Sequence, residues 1–503
     1  MNTKNIEIIF IILLILLGIY YIYLASGTQM LGEDEAGYVR TAKEFSQLTY
    51  PAFHPYGVHN CLSPFVSLIL SFFIWIFGSA NILALGKMLV AFFGILTLLV
   101  VYLIGKRENL VAGVCSAILL FFIPAFTHSM FLLYLEVPIA FFSALSLYLF
   151  LKMGSTKSAI LLGLVLGISN YVKASGMFLI IGFFAFVIIK YVWKRDKNLL
   201  KLTLISIIIA SIIIFPLLIR NIILYNYPYV EGLNILFNLL GIKSKETAIP
   251  YPEWIGEVTQ TISPQINYPF YIGWGSIILT TFGAVWAYYS KNNTLLLSMF
   301  LILLFFVVYF IRGVTGIEPR YLSIIYPFFS IIGGIYLGTA FDKAKASSIF
   351  KWLVLIIIFF ILIFSVQTSF NSAIGTHDSV RYSPAYVESI RWLEKNTPED
   401  SIIFTPLGGA VEYYGDRISF WAKMEEFPEI MSTDDATFIK DVLEKYNITH
   451  VLVWRGVVAD SYIVPESNFI GLFTYSFVNA VSSNSTIFDP VFSNQDTLVF
   501  EVL

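Results

Sequence analysis

Three adjacent acids, Glu33, Asp34 and Glu35, open the segment GEDEAGYVRTAKEF a few residues beyond a long apolar run at 6–25. A carboxylate so placed can act as a general base on a hydroxyl held within roughly 2.6–3.2 Å. The same acids suit a helix N-terminus, where they face the positive end of the dipole. Ala36, Tyr38, Ala42 and Phe45 then fall on one helical face. Glu136, in FLLYLEVPIAFF, is a second candidate, because no other Asp, Glu, Lys or Arg occurs between Glu108 and Lys152. An ionisable group at membrane depth is costly and marks a functional site by default. Pro138, two residues on, equally suits a helix start that touches water. Four cations, Lys173, Arg220, Arg312 and Arg320, sit at the ends of apolar runs. Guanidinium forks and an ammonium point charge both match a phosphate, and snorkelling to headgroups is their plainer role. His54 and His59 lie in one polar stretch (PAFHPYGVHN) and could hold a divalent metal together with a carboxylate, although two histidines five apart in a loop do not specify a site.

The elements that must position these residues are membrane helices. Of 503 residues, 57% are hydrophobic and 13% charged, where a soluble domain carries roughly 25% charge. One soluble core cannot hide that apolar load, so the surplus faces lipid. The net charge is -2 and no basic stretch is long enough to follow a phosphate backbone, which excludes nucleic acid as a partner. Cys61 and Cys115 stand in different apolar segments and offer neither a disulfide framework nor metal-ligand spacing. The first run is too long and uniform for a signal peptide and reads as a retained helix.

Apolar runs near 6–25, 81–104, 111–130, 137–151, 158–172, 174–193, 199–219, 270–290, 294–311, 321–341 and 349–367 are candidate spans, and 62–77 is a short further run. Cytoplasmic loops are enriched in Lys and Arg. The basic connectors at Lys106-Arg107, Lys152 to Lys157, Lys194 to Lys197, Lys291 and Lys343-Lys345 all fall on the side of Lys4 only if 62–77 does not cross. That run is therefore expected to be interfacial or re-entrant. The frame has about eleven crossings, the N-terminus inside and the C-terminus outside. Residues 26–80 and 220–269 become external loops, and Asp34, Glu136 and the four cations share the outer face. Beyond residue 368 charge returns, with helix-like 384–396 and 434–447 alternating with strand-like 401–406 and 450–456. A small α/β domain is expected over 369–503, with Asp434 or Thr433 capping its second helix.

The chain resembles the GT-C superfamily of membrane glycosyltransferases, in particular the branch of protein O-mannosyltransferases and aminoarabinose transferases. Asp34-Glu35-Ala36-Gly37-Tyr38, His54-Pro55, Glu136-Val137-Pro138 and Arg320-Tyr321 with Pro327 follow in the order of that branch, and Gly163, Gly167 and Lys173 fit a Gly-rich helix ending in Lys. Two departures bear on sugar and acceptor: the second acid is commonly Asp and here is Glu136, and the residue after His54-Pro55 is Tyr56 rather than Pro. The resemblance implies a catalytic membrane domain over 1–368, a polyprenyl-phosphate sugar as donor, and inverting transfer on the outer face to an acceptor hydroxyl on protein, glycan or lipid. It implies Asp34 as base, Glu35 and Glu136 orienting acceptor or sugar, and Lys173 and Arg320 holding the donor phosphate, with Tyr38, His54, Arg220 and Tyr321 around the substrates. Metal dependence varies in the superfamily, so no cofactor is assigned. A lipid or solute transporter is the alternative. It favours inverted repeats with polar residues at mid-membrane, and no such repeat is visible.

Overall fold

The computed structural model describes residues 3–29, 32–48, 63–225, 273–311, 319–344, 382–420, 424–460, 463–464, 469–470 and 473–503. The membrane part is helical: α1 (Thr3–Gly27), α2 (Glu33–Ser46), α3 (Pro64–Phe77), α4 (Ile82–Lys106), α5 (Leu110–Phe121), α6 (Pro124–Ser129), α7 (Glu136–Leu151), α8 (Thr156–Val172), α9 (Met177–Lys194), α10 (Lys197–Tyr225), α11 (Trp274–Ser290), α12 (Asn293–Ile311) and α13 (Tyr326–Ala344). Among the described residues, five stretches are long and apolar enough to cross a membrane: Asn5–Gly27, Ile82–Lys106, Ala174–Lys194, Lys197–Arg220 and Leu322–Lys343. Five apolar helices are shorter. The expected span at 349–367 lies outside the described residues. Ile12, Leu16 and Ile19 of α1 and Ile208, Ile212 and Phe215 of α10 are exposed, as side chains turned to lipid must be.

The run at 111–130 is not one helix. It breaks after Phe121, and Pro124 starts the short α6, because proline lacks the N–H that would continue the ladder. α3 is 14 residues long, which at ~1.5 Å per residue gives roughly 21 Å, short of a hydrocarbon core of about 30 Å. It lies against α2, with Ser67 donating to the Tyr38 carbonyl at 3.1 Å and the Trp75 indole donating to the Ser46 carbonyl. Close helix approach is set by missing side chains. A Cβ at Gly167 of α8 would lie 2.5 Å from Ile213 Cβ of α10, and one at Gly334 of α13 would lie 2.1 Å from Ser116 Oγ of α5. Small residues let such backbones meet in lipid.

The C-terminal unit is α/β. A mixed sheet of β1 (Ile402–Phe404), β2 (Ile418–Ser419), β3 (Ile448–Trp454), β4 (Phe488–Ser493) and β5 (Thr497–Val502) runs in the order β2-β1-β3-β5-β4. β1 is parallel to both β2 and β3, while β5 is antiparallel to β3 and β4. The helices are α14 (Pro384–Asn396), α15 (Gly408–Tyr414), α16 (Phe427–Ser432), α17 (Ala436–Lys445) and α18 (Tyr475–Ser483). Phe404, Phe427, Phe473, Phe477 and Val451 fill its core. The cap of α17 is Asp435, which accepts from the amides of Thr437 and Phe438. This corrects the expected Asp434 or Thr433, since a cap must sit directly before the first helical turn.

Candidate active site

The N-terminus of α2 is built on a buried ion pair. Lys87 Nζ of α4 lies 3.1 Å from Glu35 Oε1, and both side chains are fully enclosed. Glu35 Oε1 also accepts from the Leu133 amide at 2.8 Å, and Oε2 accepts from the Gly32 amide at 3.0 Å. Lys87 donates in addition to the carbonyls of Thr28 and Gln29. A buried charge is tolerated only when paired and hydrogen-bonded, and here both members are saturated. One pair therefore ties together the end of α1, the start of α2, the second turn of α4 and the loop before Glu136. Tyr134, in that loop, packs so tightly on Gly32 that a Cβ there would lie 2.1 Å from its hydroxyl.

This arrangement encloses the Glu35 side chain fully, with Asp34 as the next residue along the same turn. Asp34 is half-buried at the second position of α2. Glu136 opens α7, is 4% exposed and accepts from Lys173 Nζ at 2.8 Å. Lys173 caps the end of α8 in extended backbone (φ -158°), which turns its ammonium toward α7. Two candidates from separate helices thus meet as an ion pair. The turn Pro319–Ile324, which carries Arg320 and Tyr321, packs against α6 and α7, and Ser143 of α7 donates to the Ile324 carbonyl at 2.7 Å. The side chains of Arg320 and Tyr321 lie outside the described residues, as do His54, His59 and Arg312. Arg220 is half-buried near the end of α10. Tyr38 is 5% exposed and belongs to the packing core. Among the described residues, no group of three or more His, Cys, Asp or Glu could hold a metal ion.

The C-terminal unit rests on the same helix. α15 packs on α2, with Arg40 Nη1 3.9 Å from Glu412 Oε2 and Lys43 Nζ 3.1 Å from Asp416 Oδ1. Burial pushes the Tyr413 hydroxyl up to about 12, with Tyr414 and Glu35 adding negative charge nearby. Lys87, Arg40 and Glu412 escape a reading by sequence. Only Lys87 carried a signal: it is the one charged residue inside the run 81–104.

Residues 54–219 match the family described as Dolichyl-phosphate-mannose-protein mannosyltransferase. No curated protein matches the sequence. Among solved structures, the oligosaccharyltransferase of Archaeoglobus fulgidus, in complex with Zn and sulfate, superposes with a TM-score of 0.67 at 14% identity, covering 96% of this chain and 72% of that one. The oligosaccharyltransferase AglB from Archaeoglobus fulgidus, in complex with an inhibitory peptide and a dolichol-phosphate, gives 0.63 at 14% identity, covering 88% and 69%. ArnT from Cupriavidus metallidurans bound to undecaprenyl phosphate gives 0.58 at 12% identity, covering 98% and 97%. Both comparisons agree with the glycosyltransferase class expected from the motifs. The chain is a multi-pass membrane protein with the fold of the GT-C glycosyltransferases.

Proposed function

We propose that the chain transfers a sugar from a polyprenyl-phosphate donor to an acceptor hydroxyl on the extracytoplasmic face, with inversion. The observation that carries this reading is the convergence at the start of α7. Glu35 of α2 holds the Leu133 amide three residues before Glu136, and Glu136 holds Lys173 of α8. The loop that leads into the Glu136–Lys173 pair is thereby held to the turn that carries Asp34.

In the reaction, Asp34 accepts the proton of the acceptor hydroxyl as its oxygen bonds to the anomeric carbon. The bond from that carbon to the donor phosphate oxygen breaks, and polyprenyl phosphate leaves with the electron pair. Stabilising that developing charge is the largest catalytic demand. Lys173 answers it by exchanging the Glu136 carboxylate for phosphate, and Arg220 and Arg320, with Tyr321 beside it, supply further positive charge. Glu136, released, orients the sugar or acceptor. Glu35 acts through position: paired to Lys87, it fixes the turn on which Asp34 stands. His54 is a substrate-binding residue in this reading. The C-terminal unit from 369 on lies outside the membrane with its helix α15 on α2.

The test is an assay of the purified protein in nanodiscs with labelled polyprenyl-phosphate sugars and membrane-extract acceptors. Product formed in equal amount with released polyprenyl phosphate supports the proposal. Donor moved across vesicle membranes with no sugar transferred would replace it with transport.

A further inference from the structure

A cleft of about 660 Å³ opens between the exit of α1 and helix α14 of the C-terminal unit, lined by Gln29, Tyr382, Arg391, Trp392, Lys395 and Tyr414 among others. Its wall is one stripe of α14: Pro384, Glu388, Arg391 and Lys395 recur at helical spacing and all are exposed. Two features mark it as more than a solvated helix face. The first is charge. Among the described residues neither Arg391 nor Lys395 forms an ion pair. Glu388, one turn before Arg391, faces Asn494 instead, which donates to it at 3.3 Å. Two cations one turn apart, without an ion pair among the described residues, thus line one cleft together with the single acid Glu388. The second is the aromatic content. Trp392 is held rigid by stacking on Phe492 at 5.3 Å between ring centroids, and Tyr414 closes the far side.

One lining residue links the cleft to the buried ion pair at the start of α2. Gln29 lines it and its carbonyl accepts from Lys87, the partner of Glu35. Tyr414 feels the charge of both Glu35 and Arg391. Flat aromatic rims suit the apolar faces of sugar rings, and a guanidinium beside an ammonium suits a carboxylate or phosphate. From these contacts we infer that the cleft is the acceptor site and takes an acidic saccharide, free or lipid-borne, with a hydroxyl directed toward Asp34. The acceptor role rests on the transferase reading, and the binding itself does not.

The test uses the full chain in phosphatidylcholine nanodiscs without donor, titrated calorimetrically with hexagalacturonate and with neutral maltohexaose. Hexagalacturonate is expected to bind at least tenfold tighter than maltohexaose, and Arg391→Gln/Lys395→Gln to lose that preference. Both positions are exposed, so the variant is expected to fold. Asp34→Asn is expected to bind as the unaltered protein does, so failure of catalysis and failure of the cleft are read separately. Equal affinity for the two saccharides, or no loss in the double variant, overturns the inference. A variant that loses only retention of phosphatidylglycerol in mixed nanodiscs, with saccharide binding unchanged, also overturns it and makes the cleft a headgroup contact.

Discussion

Glu35 and Lys87 stand 3.1 Å apart with no exposed side-chain surface, one on the helix of the acid cluster and one in the second turn of the apolar helix α4. Removing one partner strands the other charge, which typically costs about 3–5 kcal/mol. Lys87→Met is therefore expected to destabilise the protein by that amount, and Glu35→Gln/Lys87→Met by clearly less than the sum of the singles. A thermal double-mutant cycle in detergent measures the coupling. Additive effects would mean that the pair contributes no mutual stabilisation.

The Glu136–Lys173 pair is open on one side only: the Lys173 side chain is 17% exposed and that of Glu136 5%. Lys173→Ala is expected to raise the donor KM at least tenfold and, because it strands the Glu136 carboxylate, to lower the unfolding temperature as well. Lys173→Arg restores part of the affinity because the charge is kept, though the geometry differs. Donor titrations of the three proteins decide this.

The two bridges from α2, to Glu412 of α15 and to Asp416 just beyond it, are unequal. Lys43–Asp416 is an exposed pair, with side chains 31% and 65% exposed, and such pairs are worth about 0–1 kcal/mol. Glu412, whose side chain is 1% exposed, faces Arg40. Lys43→Ala is expected to be nearly silent, whereas Glu412→Lys is expected to loosen the contact and raise amide hydrogen exchange across α2 and α15.

Gly167 meets Ile213 where α8 crosses α10. Gly167→Val is expected to cost roughly 1–3 kcal/mol through overpacking. Because α8 ends at Val172, directly before Lys173, the strain is expected to weaken donor binding as well. Unfolding temperature and donor KM measured on the same preparation test both effects together.

His450 lies in β3 opposite Glu501 and touches Thr449 Oγ1 at 2.9 Å. Burial holds its pKa below the ordinary histidine value, with Glu501 opposing. Above about pH 6.5 the imidazole is neutral in both folded and unfolded chains, and the sheet keeps its full stability. As pH falls toward the depressed folded value, the unfolded chain binds a proton that the fold resists, and stability declines by at most about 1.4 kcal/mol per pH unit. His450→Gln is expected to flatten this dependence in hydrogen exchange of β3 and β5.

The readable parts of the site are those where a charge stands against its surroundings. Glu136 and Lys173 interrupt long apolar stretches, and the fold brings them to 2.8 Å. Lys87 interrupts one equally, yet a run of 25 helical residues hides a single lysine whose partner is 52 positions away by number. Glu35 could not be separated from Asp34 by sequence, since both are helix-start acids and only tertiary burial distinguishes them. The α/β alternation of the C-terminal unit was legible through helices α14 and α17 and strands β1 and β3. Strands β4 and β5 were not: β4 carries a proline, which argues against a strand, and an acid interrupts each of FDPVFS and TLVFEV. The break at Pro124 was masked by apolar residues on both sides.

The central claim is that Asp34, held on the turn fixed by Glu35 and Lys87, is the base of a sugar transfer. Single-turnover transfer from a labelled polyprenyl-phosphate sugar, with donor affinity measured in parallel, tests it most directly. Asp34→Asn is expected to slow transfer by about 10²–10⁴-fold with donor affinity retained. Transfer at the unaltered rate in that variant would contradict the account.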